Sequence, residues 1–245
     1  MAVLLRIGGA VYAAPIFNSR SVPTRVRLFL SVSLALLVTG NLEYTPLAYT
    51  TTIGFTFILL KELLTGLTIG LLASMALAAV SMAGQFIDRE IGFAMASTFD
   101  QVNGGQSTIT ADMYSYAVML IMLISGMHYF ILSAVVDSFD VIPVNGAVFA
   151  GDALYAMVLR VLVNYFVIAL RISMPIFLAA TVLNVVLGIL AKASPQLSMF
   201  SIGMQFKVFI GLGILFLTIG FLPDVTNYIY EYIRDFVTNV IKTMY

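Results

Sequence analysis

Apolar runs separated by short polar turns occupy nearly the whole chain. They fall at about 1–17, 26–42, 51–87, 114–136, 153–191 and 208–222, and an amphipathic tail follows Pro223. A helix needs roughly 20 apolar residues to cross a bilayer, so the pattern predicts an all-α integral membrane protein without a soluble domain. Two runs are longer than one crossing requires. A helix over 51–87 would reach roughly 50 Å, against about 30 Å of hydrocarbon, so it must tilt, protrude or fold back. In 153–191, Pro175 removes the amide that would bond the carbonyl of Arg171, which predicts a kink or a break into two half-helices. A helical hairpin inside a single hydropathy peak is the alternative to one long helix.

Basic residues assign sides to the turns. The loop 18–27 carries Arg20, Arg25 and Arg27, and the loop 192–207 carries Lys192 and Lys207, which places both on the cytoplasmic side. The turn 41–50 holds only Glu43, and 137–152 holds Asp137, Asp140 and Asp152 without a base, which suits the opposite side. The segment 88–113 sets Arg89 against Asp88, Glu90, Asp100 and Asp112 and takes no side. The opening MAVLLRIGGAVYAAPIF is interrupted by Arg6, whereas a cleavable signal carries its charges before its apolar core. It reads as the remainder of a first membrane helix.

Composition narrows the chemistry. The chain is 61% hydrophobic and 10% charged, with a mean hydropathy of +1.03 and a formal net charge of zero. Soluble domains carry about 25% charged residues, and a neutral chain has no electrostatic reason to bind nucleic acid. The absence of cysteine excludes disulfides, iron–sulfur clusters and thiolate zinc sites. His128 is the single histidine, so metal and nucleophile chemistry have few parts and no cofactor is expected. With no Trp, an interfacial aromatic belt must come from the 12 tyrosines. The 13 methionines and 18 phenylalanines read as packing.

Few polar groups lie inside the apolar runs. Gly66, Gly70, Ser74 and Ala78 recur at every fourth position and predict a close helix–helix approach, not a catalytic feature. Lys61 and Glu62 are about 100° apart around a helix and read as end-of-helix charges that snorkel to the interface. Arg171 lies mid-run and reads as a buried polar anchor needing carbonyls or a carboxylate, with a structural role and a functional lining equally weighted. His128 and Ser125 are three residues apart, but nothing orients the imidazole and no oxyanion hole is evident, so His128 reads as a histidine satisfied by a neighbouring helix. Gly151-Asp152 has no second in-helix aspartate to make a protease pair, and no phosphate-binding glycine loop is present. Residues alone therefore leave a non-enzymatic transporter or channel part, with a small-solute secondary transporter as a competing reading that lacks visible internal repeats.

The stretch MPIFLAATVLNVVLGILAKASPQLSMFSIGMQFK, residues 174–207, resembles the most recognisable segment of the FliR family of export-gate subunits, shared with type III secretion injectisomes. The shared pattern falls on Pro175, Asn184, Leu187, Gly188, Lys192, Pro195, Gln196, Leu197, Phe200 and Gly203. RIGGAVYAAPIFNSRSVPTRVR (6–27), AGQFIDREIGFAMASTFD (83–100) and DSFDVIPVNG (137–146) resemble further stretches of the family. Ser198 and Gln205 stand where the family often has Asn and Pro, Gln101 follows Asp100 where Asp-Pro is usual, and Met127 interrupts a Gly-His pair.

The resemblance implies slanted helical hairpins with kinked or broken long helices, a FliP-like part over about 1–150 and a FliQ-like part over about 151–245. It implies FliP-like and FliQ-like partners, FlhB-like and FlhA-like export components, unfolded flagellar substrates, surrounding membrane lipid and the inner membrane at the flagellar basal body. A flagellar system is expected ahead of an injectisome. It places a lumen plug at about Phe99 to Thr110, with Phe99, Asp100, Gly104, Gly105 and Gln106 as candidates. Lys192, Pro195, Gln196, Phe200 and Lys207 become candidates for the gate mouth and subunit contacts.

Overall fold

A computed structural model describes residues 1–19, 22–41, 51–93, 108–149, 151–193 and 199–243. Every regular element among them is helical. In chain order these are α1 (Ala2–Ala13), α2 (Thr24–Asn41), α3 (Thr52–Ile91), α4 (Ile109–Ile124), α5 (Met127–Val141), α6 (Gly151–Ala193), α7 (Met199–Thr218), a 3-10 turn (Ile219–Phe221) and α8 (Leu222–Thr243). The all-α membrane class expected from the apolar pattern is what the fold has.

The lengths decide between alternatives that the apolar pattern left open. Helix α3 runs unbroken for 40 residues and α6 for 43, with Pro175 inside it, so neither run folds back as a hairpin. Proline deletes one amide, and an apolar environment offers the rest of the backbone no partner other than its own helix. At about 1.5 Å per residue the two helices reach roughly 60 and 65 Å, about twice the hydrocarbon thickness. The break comes in the fourth run instead. Helix α4 stops at Ile124 and α5 starts at Met127, and Gly126 between them has a φ of 73°, a left-handed value that favours glycine. The first run forms only 12 helical residues, about 18 Å, too short to cross. Among the described residues three helical stretches are long and apolar enough to span a bilayer, Thr52–Ile91, Tyr155–Ala193 and Gly203–Ile241, or four if α4 and α5 make one broken span.

The chain forms two compact units. The first comprises Met1–Ala76, Met122–Leu162 and Ile229–Tyr245. Helix α1 lies in its interior, with Ile7, Ala10 and Val11 buried, and packs on α2, α3 and α5. Glycine makes this approach close: a Cβ on Gly66 would overlap the Arg6 carbonyl, and one on Gly70 would overlap that of Ala10. The packing role expected for the small-residue ladder holds at these two positions. It lapses at Ala78, which is exposed, because a four-residue step overshoots the 3.6-residue turn and drifts about 120° over three steps.

The second unit comprises Leu77–Ile121 and Val163–Tyr228. Here α3 buries Val80, Ala83, Ile87 and Ile91, Gly84 lies against the Ala111 backbone, and Gly211 of α7 abuts the Ile91 side chain. Within this unit helix α6 buries only a narrow stripe, Ile168, Ala169, Ser173, Ile176 and Ala180, and its most apolar stretch is 6% buried. Helix α8, whose residues from Ile229 onward belong to the first unit, is amphipathic as expected: Leu222, Thr226, Ile229, Ile233, Phe236 and Val240 are buried at three- and four-residue spacing. Pro223 sits in its first turn, where a missing amide costs nothing.

A side chain at Gly66 has to displace the Arg6 backbone. Gly66→Val is expected to lower stability by about 1–3 kcal/mol, the usual range for overpacking, whereas Gly8→Ala, which meets nothing within 4 Å, is tolerated. Thermal denaturation of the two variants in detergent checks the contrast.

Candidate functional site

Two polar clusters stand out among the described residues, one in each unit. In the first, Arg6 of α1 and Glu62 of α3 form an ion pair with no solvent exposure on either side chain. Nε of Arg6 donates to Oε2 of Glu62 at 2.6 Å, and Nη2 donates to Oε1 at 3.0 Å, a bidentate arrangement. Nη1 donates to the carbonyls of Ser138 at 3.1 Å and Ile142 at 2.8 Å, and the guanidinium carbon lies 4.2 Å from the Phe139 ring centre. Ser138 lies in the C-terminal turn of α5, where its carbonyl also accepts the Ile142 amide at 2.9 Å, and Ile142 follows the helix end, so both carbonyls stand at the negative end of the helix dipole. The Asn145 amide donates to Oε1 of Glu62 at 2.9 Å, and Asn145 takes a left-handed φ of 71°, which Asn tolerates better than most residues.

This overturns the snorkelling reading of Glu62. The tight approach at Gly66 brings the start of α1 onto α3, so that Arg6 meets Glu62 out of contact with solvent. Lys61, one residue earlier, is half-exposed. Sequence reasoning missed the pair. Its one signal was a lone arginine and a carboxylate in separate apolar runs, each needing a partner.

The second cluster closes the stem of the segment between α3 and α4. Asp88, in the last turn of α3, is fully buried; its Oδ2 accepts the Thr110 amide at 2.9 Å and its Oδ1 accepts the Thr110 hydroxyl. The Asp88 carbonyl accepts the Gly92 amide at 3.0 Å, and Gly92 ends the helix with a φ of 98°. A carboxylate at the first turn of α4 satisfies amides that the helix leaves unpaired.

The proposed plug residues Phe99, Asp100, Gly104, Gly105 and Gln106 lie outside the described residues, as do Pro195 and Gln196. Phe200 falls in the first turn of α7. Lys207 is half-buried and lines a crevice with Glu90, Ile176, Leu183 and Gly211. Lys207 therefore meets the end of α3 within the second unit. Lys192 is exposed in the last turn of α6. Beside Lys207's crevice, an apolar cavity of about 270 Å³ lies between Phe86, Ile87, Leu170, Met174 and Phe177, with Arg89 and Glu90 at its edge.

Arg171 is exposed on the chain, its guanidinium carbon 4.8 Å from the Tyr228 ring centre. The buried anchor expected there is not found within this chain; the fully buried guanidinium is that of Arg6. His128 also departs from expectation. The α4–α5 break separates it from Ser125, and its Nδ1 is buried without a hydrogen-bond partner among the described residues. No group of three His, Asp or Glu side chains converges as a metal site among those residues.

The fold and these clusters define an all-α integral membrane protein whose buried charges serve packing. Comparison identifies the family. The chain matches bacterial export proteins, family 1, over residues 1–233, and it belongs to that family. It is similar to the flagellar biosynthetic protein FliR of Pectobacterium carotovorum subsp. carotovorum, 28% identical over 242 residues, covering 98% of this chain and 91% of the relative. FliR of Bacillus subtilis (strain 168) is 31% identical over 208 residues, 84% and 80% of the two chains. FliR of Escherichia coli (strain K12) is 25% identical over 245 residues, 98% and 92%.

Breaking the first cluster strands a buried charge. Glu62→Ala is expected to cost about 3–5 kcal/mol, whereas Arg6→Leu with Glu62→Leu costs markedly less because no ion is left unpaired. Denaturation of the single and double variants, with the amount retained in the membrane, gives the comparison.

Proposed function

We propose that the chain is a subunit of the flagellar type III protein export gate. With FliP-like and FliQ-like subunits it forms the pore through which unfolded flagellar proteins cross the inner membrane, next to FlhA-like and FlhB-like components at the basal body. Residues 1–150 form a FliP-like part and 151–245 a FliQ-like part. The chain performs no catalysis; its work is to shape a passage. Family membership across residues 1–233, with relatives named flagellar biosynthetic protein FliR, carries this reading.

Physical features support it. The most apolar stretch of α6 is 6% buried within the chain, which leaves a long surface for lipid and other subunits. The 20 residues from 172 to 191 carry no charge and run between Arg171 and Lys192. They amount to about 30 Å of helix, the hydrocarbon thickness, so Arg171 over Tyr228 acts as an anchor at one boundary and Lys192 at the other. The segment from Phe99 to Thr110 plugs the lumen at rest. Its side chains are mostly short and polar and offer a passing chain little to bind. Lys207 and the 192–200 stretch form the mouth and touch neighbouring subunits.

Deleting residues 99–106 is expected to raise ion leakage through the assembled gate while FliP-like and FliQ-like subunits still co-purify with the chain. Membrane conductance unchanged by the deletion would refute the plug. Solute uptake by the lone chain in liposomes would favour a small-solute transporter over the gate.

A further inference from the structure

Between α1 and α2, and bounded also by α3, the first unit carries an apolar groove of about 280 Å³. Leu5, Gly8, Tyr12, Leu28, Val32 and Leu67 are among the residues that line it. Gly8 leaves it open, since a Cβ there would meet nothing within 4 Å. Ser31 borders the groove too, but its hydroxyl donates to the Arg27 carbonyl at 2.8 Å and is not left for an occupant.

Positive charge gathers at one end of this groove. Arg27 lies in the first turn of α2, and its guanidinium carbon stands 6.0 Å from the ring centre of Tyr12 in the groove wall. Its Nη1 donates to Oδ1 of Asn18 at 2.8 Å and its Nη2 to the Ser19 carbonyl at 2.7 Å, while Nε is buried without a partner among the described residues. Both acceptors are neutral, so the guanidinium is held in place but its charge is not offset. The first turn of α2 holds no acidic residue, although the positive end of a helix favours one, and Arg25 close by is exposed. Among the described residues no carboxylate pairs with Arg25 or Arg27.

We propose that the groove is a phospholipid site, in which one acyl chain lies between α1 and α2 and an anionic headgroup is held by its phosphate at Arg27. Hydrocarbon against these side chains leaves no polar group unsatisfied, and the phosphate supplies the negative charge that Arg27 and the start of α2 both lack. A protein segment would need a carboxylate set beside an apolar stretch, whereas a lipid carries the two parts already joined. The arginines of this turn also assign it to the cytoplasmic side, where anionic lipids draw basic residues. The site stands apart from the reading of the chain as a gate subunit.

The full chain, with any subunits that co-purify with it, is reconstituted in phosphatidylcholine vesicles containing traces of phosphatidylglycerol or phosphatidylcholine with a photoactivatable acyl chain. After illumination, labelled peptides of α1 and α2 are compared with those of residues 172–191 of α6. Phosphatidylglycerol is expected to label the groove about fivefold more than phosphatidylcholine, the effect of one arginine near an anionic surface, and added salt lowers that ratio. Arg27→Gln is expected to abolish the preference and Arg27→Lys to keep it. Gly8→Leu, which fills the groove without meeting a neighbour at Cβ, is expected to cut labelling by both lipids while α6 labels as before. Equal labelling by the two lipids in the unaltered chain, a preference that survives Arg27→Gln, or labelling that survives Gly8→Leu overturns the site. A groove that neither lipid labels also overturns it and assigns the face to a protein subunit. If Arg27→Gln is lost from the membrane, the lipid ratio in the unaltered chain and the Gly8→Leu result decide the matter.

Discussion

Taking a guanidinium and a carboxylate out of water costs several kcal/mol per ion, and geometry must recover nearly all of it. Arg6 and Glu62 meet that demand by drawing in the rest of the first unit. Two bonds join them to each other, the carbonyls of Ser138 and Ile142 at the C-terminal end of α5 turn on the arginine, and the Asn145 amide takes a further lone pair of the glutamate. Remove any one contributor and a full or partial charge is left facing apolar side chains. Helices α1, α3 and α5 are therefore held by an all-or-nothing condition, whereas their apolar contacts alone would tolerate sliding, since lipid tails cover an apolar face as well as a neighbouring helix does. The glycines belong to the same condition. Without the bare surface at Gly66, the backbone of Arg6 cannot come near enough for its side chain to reach.

The second unit applies related chemistry to a different end. Asp88 is also a buried carboxylate, but its donors lie on one residue 22 positions further along the chain, so it joins two helix ends instead of three helix bodies. Around it the end of α3 meets Lys207 and Gly211 of α7. In this way the motif-bearing stretch 174–207 and the central stretch 83–100, distant in sequence, border the same place.

What could be read from the residues follows a clear division. Helical class and membrane character were legible because they depend on composition and run length, which are local. The approach at Gly66 and Gly70 was legible because small residues at helical spacing have few other uses. The Arg6–Glu62 pair was not: ion pairing between runs 56 positions apart leaves no periodic trace, and Glu62 beside Lys61 resembles an interfacial doublet. At Pro175 a kink and a break were both open on sequence grounds, and the helix runs on through the proline without a break, because the ladder on both sides of one lost amide stays hydrogen-bonded. Conversely the true break, at Gly126, was overlooked inside an apolar run where only a backbone angle marks it. Of the candidate site, Lys207 could be placed against the end of α3, while the roles of the 99–106 and 194–198 stretches rest on family likeness.

Pro175 has a mechanical meaning for α6. Where its ring replaces an amide, the carbonyl of Arg171 has lost its axial bond, so this turn is the most compliant section of a beam roughly 65 Å long. The void of about 270 Å³ lined by Leu170, Met174 and Phe177 lies along the same turn. A sideways load on the helix is thus absorbed where stiffness is least and where neighbouring atoms leave room for deflection. Bending at Pro175 therefore costs neither half of α6 its own hydrogen bonds.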